Sequence, residues 1–288
     1  MSESRITAER SNLERKPIIS IQNLIKIYKR GEIETSALRS LTVDFFPGEI
    51  SVIMGPSGCG KTTLLNILGG IITFDAGKVI VDGLDIAKLT EEELDEYRLN
   101  KVGYVFQFFN LIPELTAGDN IALQMELKNL EKIHISEEVI RVLELVDLLD
   151  KKDNYPNELS GGEQQRIAIA SGIAGNQKIL LCDEPTGELD SKSKRQVMKL
   201  VKNIMNQFPE KSILIVTHDQ EIKNIADRLY QIKDGQIAFV SEIDKDEEKH
   251  KYEKLLENDY YDNVTAEKAV QLQETIYFLQ QRLKKLKK

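Results

Sequence analysis

Gly55-Pro56-Ser57-Gly58-Cys59-Gly60-Lys61-Thr62 follows the apolar run Glu49-Ile50-Ser51-Val52-Ile53-Met54 and precedes Thr63-Leu64-Leu65-Asn66-Ile67-Leu68. A buried strand, a glycine-rich turn and a helix in that order are the context in which a phosphate loop works. The glycines let successive backbone N–H groups turn inward at the positive end of the helix, where they cradle β- and γ-phosphate oxygens. Lys61 would neutralise those oxygens and the Thr62 hydroxyl would ligate Mg²⁺. Gly55, Pro56, Ser57, Gly58, Cys59, Gly60 and Thr63 complete the expected nucleotide contacts. Cys59 has two readings: a small residue at a variable loop position, which is preferred, or a thiol switch.

Around this stretch, β-rich runs at 18–28, 36–46 and 49–54 are separated by Gly31 and by Pro47-Gly48. They read as an antiparallel flank leading into the buried strand. Helical spacing starts at Thr62, and Lys78–Gly83 reads as a strand with a turn at Asp82-Gly83. Residues 91–99, 117–128 and 136–149 carry apolar positions three and four apart, with Ser136 as the expected start of the last helix. Strands return at 178–184 and 212–218 around a helix near 191–207, the alternation of a parallel sheet with crossover helices. Residues 229–240 read as a closing hairpin around Asp234-Gly235.

Composition narrows the function classes. The 288 residues are 41% hydrophobic and 30% charged, which suits a folded globular chain. A formal charge of -8 provides no overall positive field for nucleic acid, so no nucleic-acid partner is expected. Two cysteines far apart build no disulfide framework, and the start of the chain lacks the apolar core of a signal peptide, so a cytoplasmic setting is expected. No run approaches the roughly 18 apolar residues that span a bilayer. Any membrane role would therefore come through another subunit.

Ile179-Leu180-Leu181-Cys182-Asp183-Glu184 is an apolar strand ending in two acids. Unpaired buried carboxylates are costly, so these should face a metal and a water. Asp183 is the expected Mg²⁺ partner and Glu184 the general base.

Between the loop and that strand lies Leu159-Ser160-Gly161-Gly162-Glu163-Gln164-Gln165-Arg166, a hydroxyl and two glycines at a helix start, which makes a second anion site. This stretch resembles the signature sequence of ABC ATPases. Further family marks follow in order. Gln107 resembles the Q-loop glutamine that touches Mg²⁺ or water, Gly187-Glu188-Leu189-Asp190 the D-loop, His218 the switch histidine at the γ-phosphate, and Tyr28 the aromatic residue that stacks on adenine. Alone, Gln107 fits a surface glutamine, His218 a helix cap and Tyr28 a packed strand aromatic; their order beside the other motifs favours the functional reading.

The resemblance covers residues 18–240 and is strongest to the lipoprotein-release and macrolide-efflux group, through Ser36–Arg39, Phe106–Pro113 and Asp183–Gly187. It implies an α/β phosphate-loop NTPase core with a mixed, largely parallel sheet, an antiparallel β flank and an inserted helical subdomain at about 108–175. It also implies ATP and Mg²⁺ as cofactors, and a head-to-tail homodimer in which Ser160, Gly161 and Gly162 hold the γ-phosphate on the partner's phosphate loop, while Asp190, in the D-loop that communicates across the dimer, is a further nucleotide-binding residue. Separate transmembrane permease-type subunits, with the chain peripheral on the cytoplasmic face, complete the implied assembly. A soluble ABC ATPase, or the ATPase of a signalling or cell-division complex, are the alternatives. Glu188, where a small or amide residue is usual, and Ser171, where arginine is usual, depart from the pattern. Residues 1–17 are expected to form a mobile arm, and 241–288 a charged linker and C-terminal helix with Leu272, Ile276, Leu279, Leu283 and Leu286 on one stripe.

Overall fold

Strands β1 (Ile19–Arg30) and β2 (Ile33–Phe45) pair antiparallel from Ile19 opposite Phe45 to Arg30 opposite Ile33. The molecule is described here from a computed structural model, over residues 15–31 and 33–243; the expected C-terminal helix and most of the N-terminal arm lie outside the described residues. The next strand, β3 (Ile50–Met54), is buried throughout, so it must sit inside a sheet covered on both faces. Helix α1 (Lys61–Leu68) follows it. Strands β4 (Ala76–Val81) and β5 (Leu84–Asp85) then close a four-stranded sheet of order β2-β1-β4-β5. Asp82 and Gly83 both take positive φ in the two-residue turn between β4 and β5, the conformation such hairpins need.

Helix α2 (Glu91–Asn100) is opened by a Thr90–Glu93 capping box and leads into β6 (Val102–Val105). No strand was expected at β6; four residues containing a glycine carry little pattern of their own. Helices α3 (Ala117–Leu127), α4 (Lys132–Leu145) and α5 (Gly161–Ala174) come next and pack on one another. The expected start of α4 at Ser136 is wrong. Asn129 takes φ +56, turning the chain out of α3, and α4 begins directly afterwards at Lys132, without a side-chain cap. Ser136 is interior, and Asp147, also at positive φ, lies just past the helix end.

Strand β7 (Ile179–Asp183), helix α6 (Ser191–Gln207), β8 (Ser212–Thr217), β9 (Arg228–Lys233) and β10 (Gln236–Glu242) complete the described chain. The larger sheet has the order β10-β9-β3-β8-β7-β6, parallel except for the β9–β10 hairpin at Asp234-Gly235. Period-two alternation divides its side chains between two cores. Ile50, Val52, Leu180, Cys182, Ile213 and Ile215 join the core made with α3 to α6, while Ile53, Ile179, Leu181, Leu214 and Val216 join the core under α1 and the smaller sheet. Where β6 crosses α5 the backbones nearly touch, because a Cβ on Gly103 would overlap the Gly172 carbonyl oxygen.

At the N-terminal end of β3 an ion network gathers distant segments. Glu49 accepts from Arg15 at 2.5 Å and from Arg228 at 3.1 Å, and Arg228 also reaches Glu242 at 2.8 Å. Both guanidinium groups also lie over the Phe46 ring, Arg15 at 5.5 Å and Arg228 at 4.8 Å from its centroid. The phosphate loop leaves the opposite end of the same strand.

Candidate functional site

The loop after β3 is shaped by close backbone contact. Gly60 has φ +103, and a Cβ there would stand 2.5 Å from the Ala37 carbonyl oxygen on β2. Gly60 caps α1 without any side-chain bond, so the first N–H groups of α1 are left for a ligand. Cys59, Gly60 and Lys61 are buried, while Pro56, Ser57, Gly58 and Thr62 are exposed. Lys61 Nζ donates to the Gly55 and Pro56 carbonyls at 2.8 and 3.0 Å, which orients the ammonium within the loop it would serve. Thr63 is half-buried in the first turn of α1.

Parallel pairing delivers the two acids beside this loop. Thr62 Oγ1 donates to Asp183 Oδ1 at 3.1 Å across 121 residues of sequence. Burial raises the Asp183 carboxyl above the ordinary carboxylate value; the Thr62 bond opposes this, the Glu184 charge adds to it, and the Lys61 charge opposes it. One buried carboxylate next to one hydroxyl fits Mg²⁺, which takes few protein ligands and fills its shell from phosphates and water. Among the described residues no group of three or more His, Cys, Asp or Glu side chains could hold a metal by itself.

Glu184 takes φ +47, a turn out of the β7 line that swings its side chain towards the end of β8. Its Oε2 accepts from the Thr217 hydroxyl at 2.9 Å and from the His218 N–H at 3.2 Å, and its Oε1 lies 2.9 Å from His218 Nδ1. An ionised carboxylate only accepts, so that contact places the ring proton on Nδ1 and leaves Nε2 outward. The His218 side chain is 69% exposed against 10% for Glu184, so the ring faces the solvent side of the pair. Gln107 stands two residues beyond the end of β6, whose Val105 lies opposite Cys182, so it leaves the sheet at the level of the acids. Tyr28 is opposite Thr35, close in register to the Ala37 that abuts Gly60; its half-exposed ring is covered on one side by the Lys26 ammonium at 5.4 Å.

The second group is built at the start of α5. Ser160 caps the helix in a reciprocal box with Glu163: the Ser160 N–H and hydroxyl both lie 2.7 Å from Glu163 Oε2. Those bonds hold the Glu163 carboxyl below its ordinary value. Gly161 is exposed, and a Cβ on it would sit 3.6 Å from the Phe109 ring. Gly162 is buried against α6, where a Cβ would meet Ser193 Oγ at 2.6 Å. Asp190 caps α6, accepting from the Lys192 and Ser193 N–H groups and from the Ser193 hydroxyl. Ser160, Gly161 and Asp190 are exposed, and buried Gly162 joins them through Ser193, which it abuts and which bonds Asp190. Sequence reasoning missed Thr217, whose only signal was its place before His218, and the Ser193 contact, which has none.

The family model described as ABC transporter matches residues 38–187. An uncharacterised ABC transporter ATP-binding protein of Methanocaldococcus jannaschii is 42% identical over 223 residues, covering 77% of this chain and 99% of that protein. This chain belongs to the ABC transporter family. It is the ATP-binding subunit type of that family and an ABC ATPase. The dimeric, post-hydrolysis structure of the ATP-binding cassette MJ0796, bound to ADP and Pi, matches with a TM-score of 0.73 and 36% identity, over 78% of this chain and 99% of that one. The macrolide export ATP-binding/permease protein MacB of Brucella abortus is 38% identical over 221 residues; these are 77% of this chain but 34% of that protein. Among the described residues no helix is long and apolar enough to cross a membrane.

Proposed function

We propose that two copies of this ABC ATPase close head-to-tail on two ATP molecules, and that the cycle energises separate transmembrane subunits for export or mechanical transmission. The observation that carries the proposal is the Glu184 carboxylate, set one residue after Asp183 and held by Thr217 and His218. Residues 18–240 would form the catalytic unit, with about 108–175 as its helical subdomain, working at the cytoplasmic face of the membrane through the partner subunits and without nucleic acid.

In this reading Gly55 to Thr63 bind the triphosphate, Tyr28 stacks on the adenine, and Lys61 exchanges its loop carbonyls for phosphate oxygens. Thr62, Asp183 and Gln107 would hold Mg²⁺, which supplies Lewis-acid polarisation of the phosphoryl oxygens when bound. Glu184 accepts a proton from the attacking water. His218 keeps Glu184 in place through Nδ1, and the other edge of its exposed ring would face the γ-phosphate. Ser160, Gly161 and Gly162 of the other copy face the γ-phosphate, and Asp190 holds that arm's neighbour, α6, in position.

The family relationship and the dimeric MJ0796 structure support this arrangement, and the MacB similarity supports a membrane partner. The test is Glu184→Gln. It should bind ATP, lose hydrolysis by about 10²-fold or more, and elute as a dimer with ATP on size-exclusion chromatography. A Glu184→Gln chain that stays monomeric with ATP and hydrolyses normally overturns the assignment.

A further inference from the structure

We infer that Lys194 is a positioning residue for hydrolysis: it fastens the loop carrying His218 to the helix that supports the Ser160–Gly162 arm. Lys194 sits in the first turn of α6, and its ammonium lies 2.8 Å from Asp219 Oδ2. A cation at the positive end of a helix is unfavourable for the helix itself. Its presence there is explained by what it reaches.

Asp219 is a junction. Its carboxylate also accepts from the Thr186 hydroxyl at 3.2 Å and from the Glu221 N–H at 3.0 Å. Its own N–H donates at 2.9 Å to Thr217 Oγ1, whose proton goes to Glu184 Oε2. The bonds therefore run without a break from Glu184 through Thr217 and Asp219 to Lys194. Burial alone would raise the Asp219 carboxyl, but the Lys194 bond, together with the Glu221 and Thr186 bonds, brings it below its ordinary value.

On the other side, Ser193 lies against Gly162, and Arg166 Nη1 donates to Gln196 Oε1 at 2.7 Å, so the starts of α5 and α6 are locked together. In a head-to-tail dimer that arm serves one nucleotide while Glu184 and His218 serve the other. The Lys194–Asp219 pair then ties the base of one site to the arm of the second. This inference rests on the composite-site reading above. The two side chains are 27% and 12% exposed, and when the Lys194 charge is removed Asp219 still accepts from Thr186 and from the Glu221 N–H. A positioning role can therefore be read apart from folding.

The experiment compares full-length wild type, Lys194→Met, Lys194→Arg, Asp219→Asn, the Lys194→Met/Asp219→Asn double variant and Glu184→Gln in Mg-ATP hydrolysis, with Tm measured for each. Lys194→Met keeps the aliphatic stem and removes the charge. Its kcat should fall roughly fivefold or more with KM within about twofold, and its Tm should stay within about 3 °C of wild type. Lys194→Arg should return most of the lost kcat, and the double variant should be no slower than the slower single variant. Wild-type kcat in Lys194→Met overturns the inference, as does a loss that tracks a fall in Tm or a rise in KM, or one that Arg does not restore. If Asp219→Asn does not fold, the Met and Arg variants decide alone. Inactive Glu184→Gln beside a fully active Lys194→Met removes this inference and leaves the base assignment standing. A fully active Glu184→Gln removes both.

Discussion

The Thr217 hydroxyl, with no exposed surface, donates to Glu184 Oε2 at 2.9 Å, so the carboxylate is fixed from the sheet side before any nucleotide arrives. Its neighbour His218 holds the same group from the open side. A carboxylate held on both sides loses little freedom when a water must be aligned with it.

Replacing Thr217 by valine keeps shape and removes the hydroxyl. A hydrogen bond to a charged group contributes about 1.5–3 kcal/mol, so kcat should fall roughly ten- to a hundredfold. KM for ATP should stay within about twofold, because the phosphate loop is untouched. Thr217→Ser should recover most of the rate. Steady-state kinetics of the two variants check this, and a Val variant at wild-type kcat would contradict it.

Ser160 should act on the other copy's nucleotide. Ser160→Arg and Lys61→Ala spoil different halves of a shared site, so mixing the two inactive chains should restore one competent site per mixed dimer. ATPase activity is followed as the mixing ratio changes. A flat response at the level of either variant alone would mean that Ser160 serves its own chain.

Gly162→Ala should loosen the seam between α5 and α6, since its Cβ would stand 2.6 Å from Ser193 Oγ and 2.9 Å from Ser193 Cβ. Overpacking of this kind costs about 1–3 kcal/mol. The variant should melt lower and dimerise poorly with ATP. Adding Ser193→Gly removes both colliding atoms, so the double variant should cost less than the two single changes summed. Thermal melts of the four proteins give the coupling.

Two truncations separate the catalytic unit from the C-terminal segment. A chain ending at residue 243 keeps the Glu242 pair with Arg228 and the Ile243 N–H bond to the Asp227 carbonyl. It should fold and bind ATP like the full chain. A chain ending at 240 loses both contacts and should melt lower, though still with nucleotide bound. Insolubility of the 243-residue chain would place the later residues in the core.

Much of this was legible because it is local. A strand, a glycine turn and Lys61-Thr62 are read from fourteen consecutive residues, and Asp183-Glu184 at the end of an apolar strand is a conflict that burial alone cannot resolve. Ser160 with Glu163 three residues on is likewise visible as a helix start. What escaped was tertiary. Gly103 against Gly172, Gly162 against Ser193 and Lys194 with Asp219 join segments 25 or more residues apart, and no local pattern marks either partner. The start of α4 was misplaced because a serine with acids after it looks like a cap, while the deciding event was Asn129 turning the chain earlier.

The Arg15–Glu49–Arg228–Glu242 network also says where the protein can be handled. It lies at the end of β3 away from the phosphate loop, about 20 Å distant at some 3.3 Å per residue. A dye, affinity handle or surface tether fixed to a described side chain beside that network, such as the exposed Lys16, would sit at that far edge. The cassette could be immobilised there, on a bead or a sensor chip, with its nucleotide face left open to a second copy.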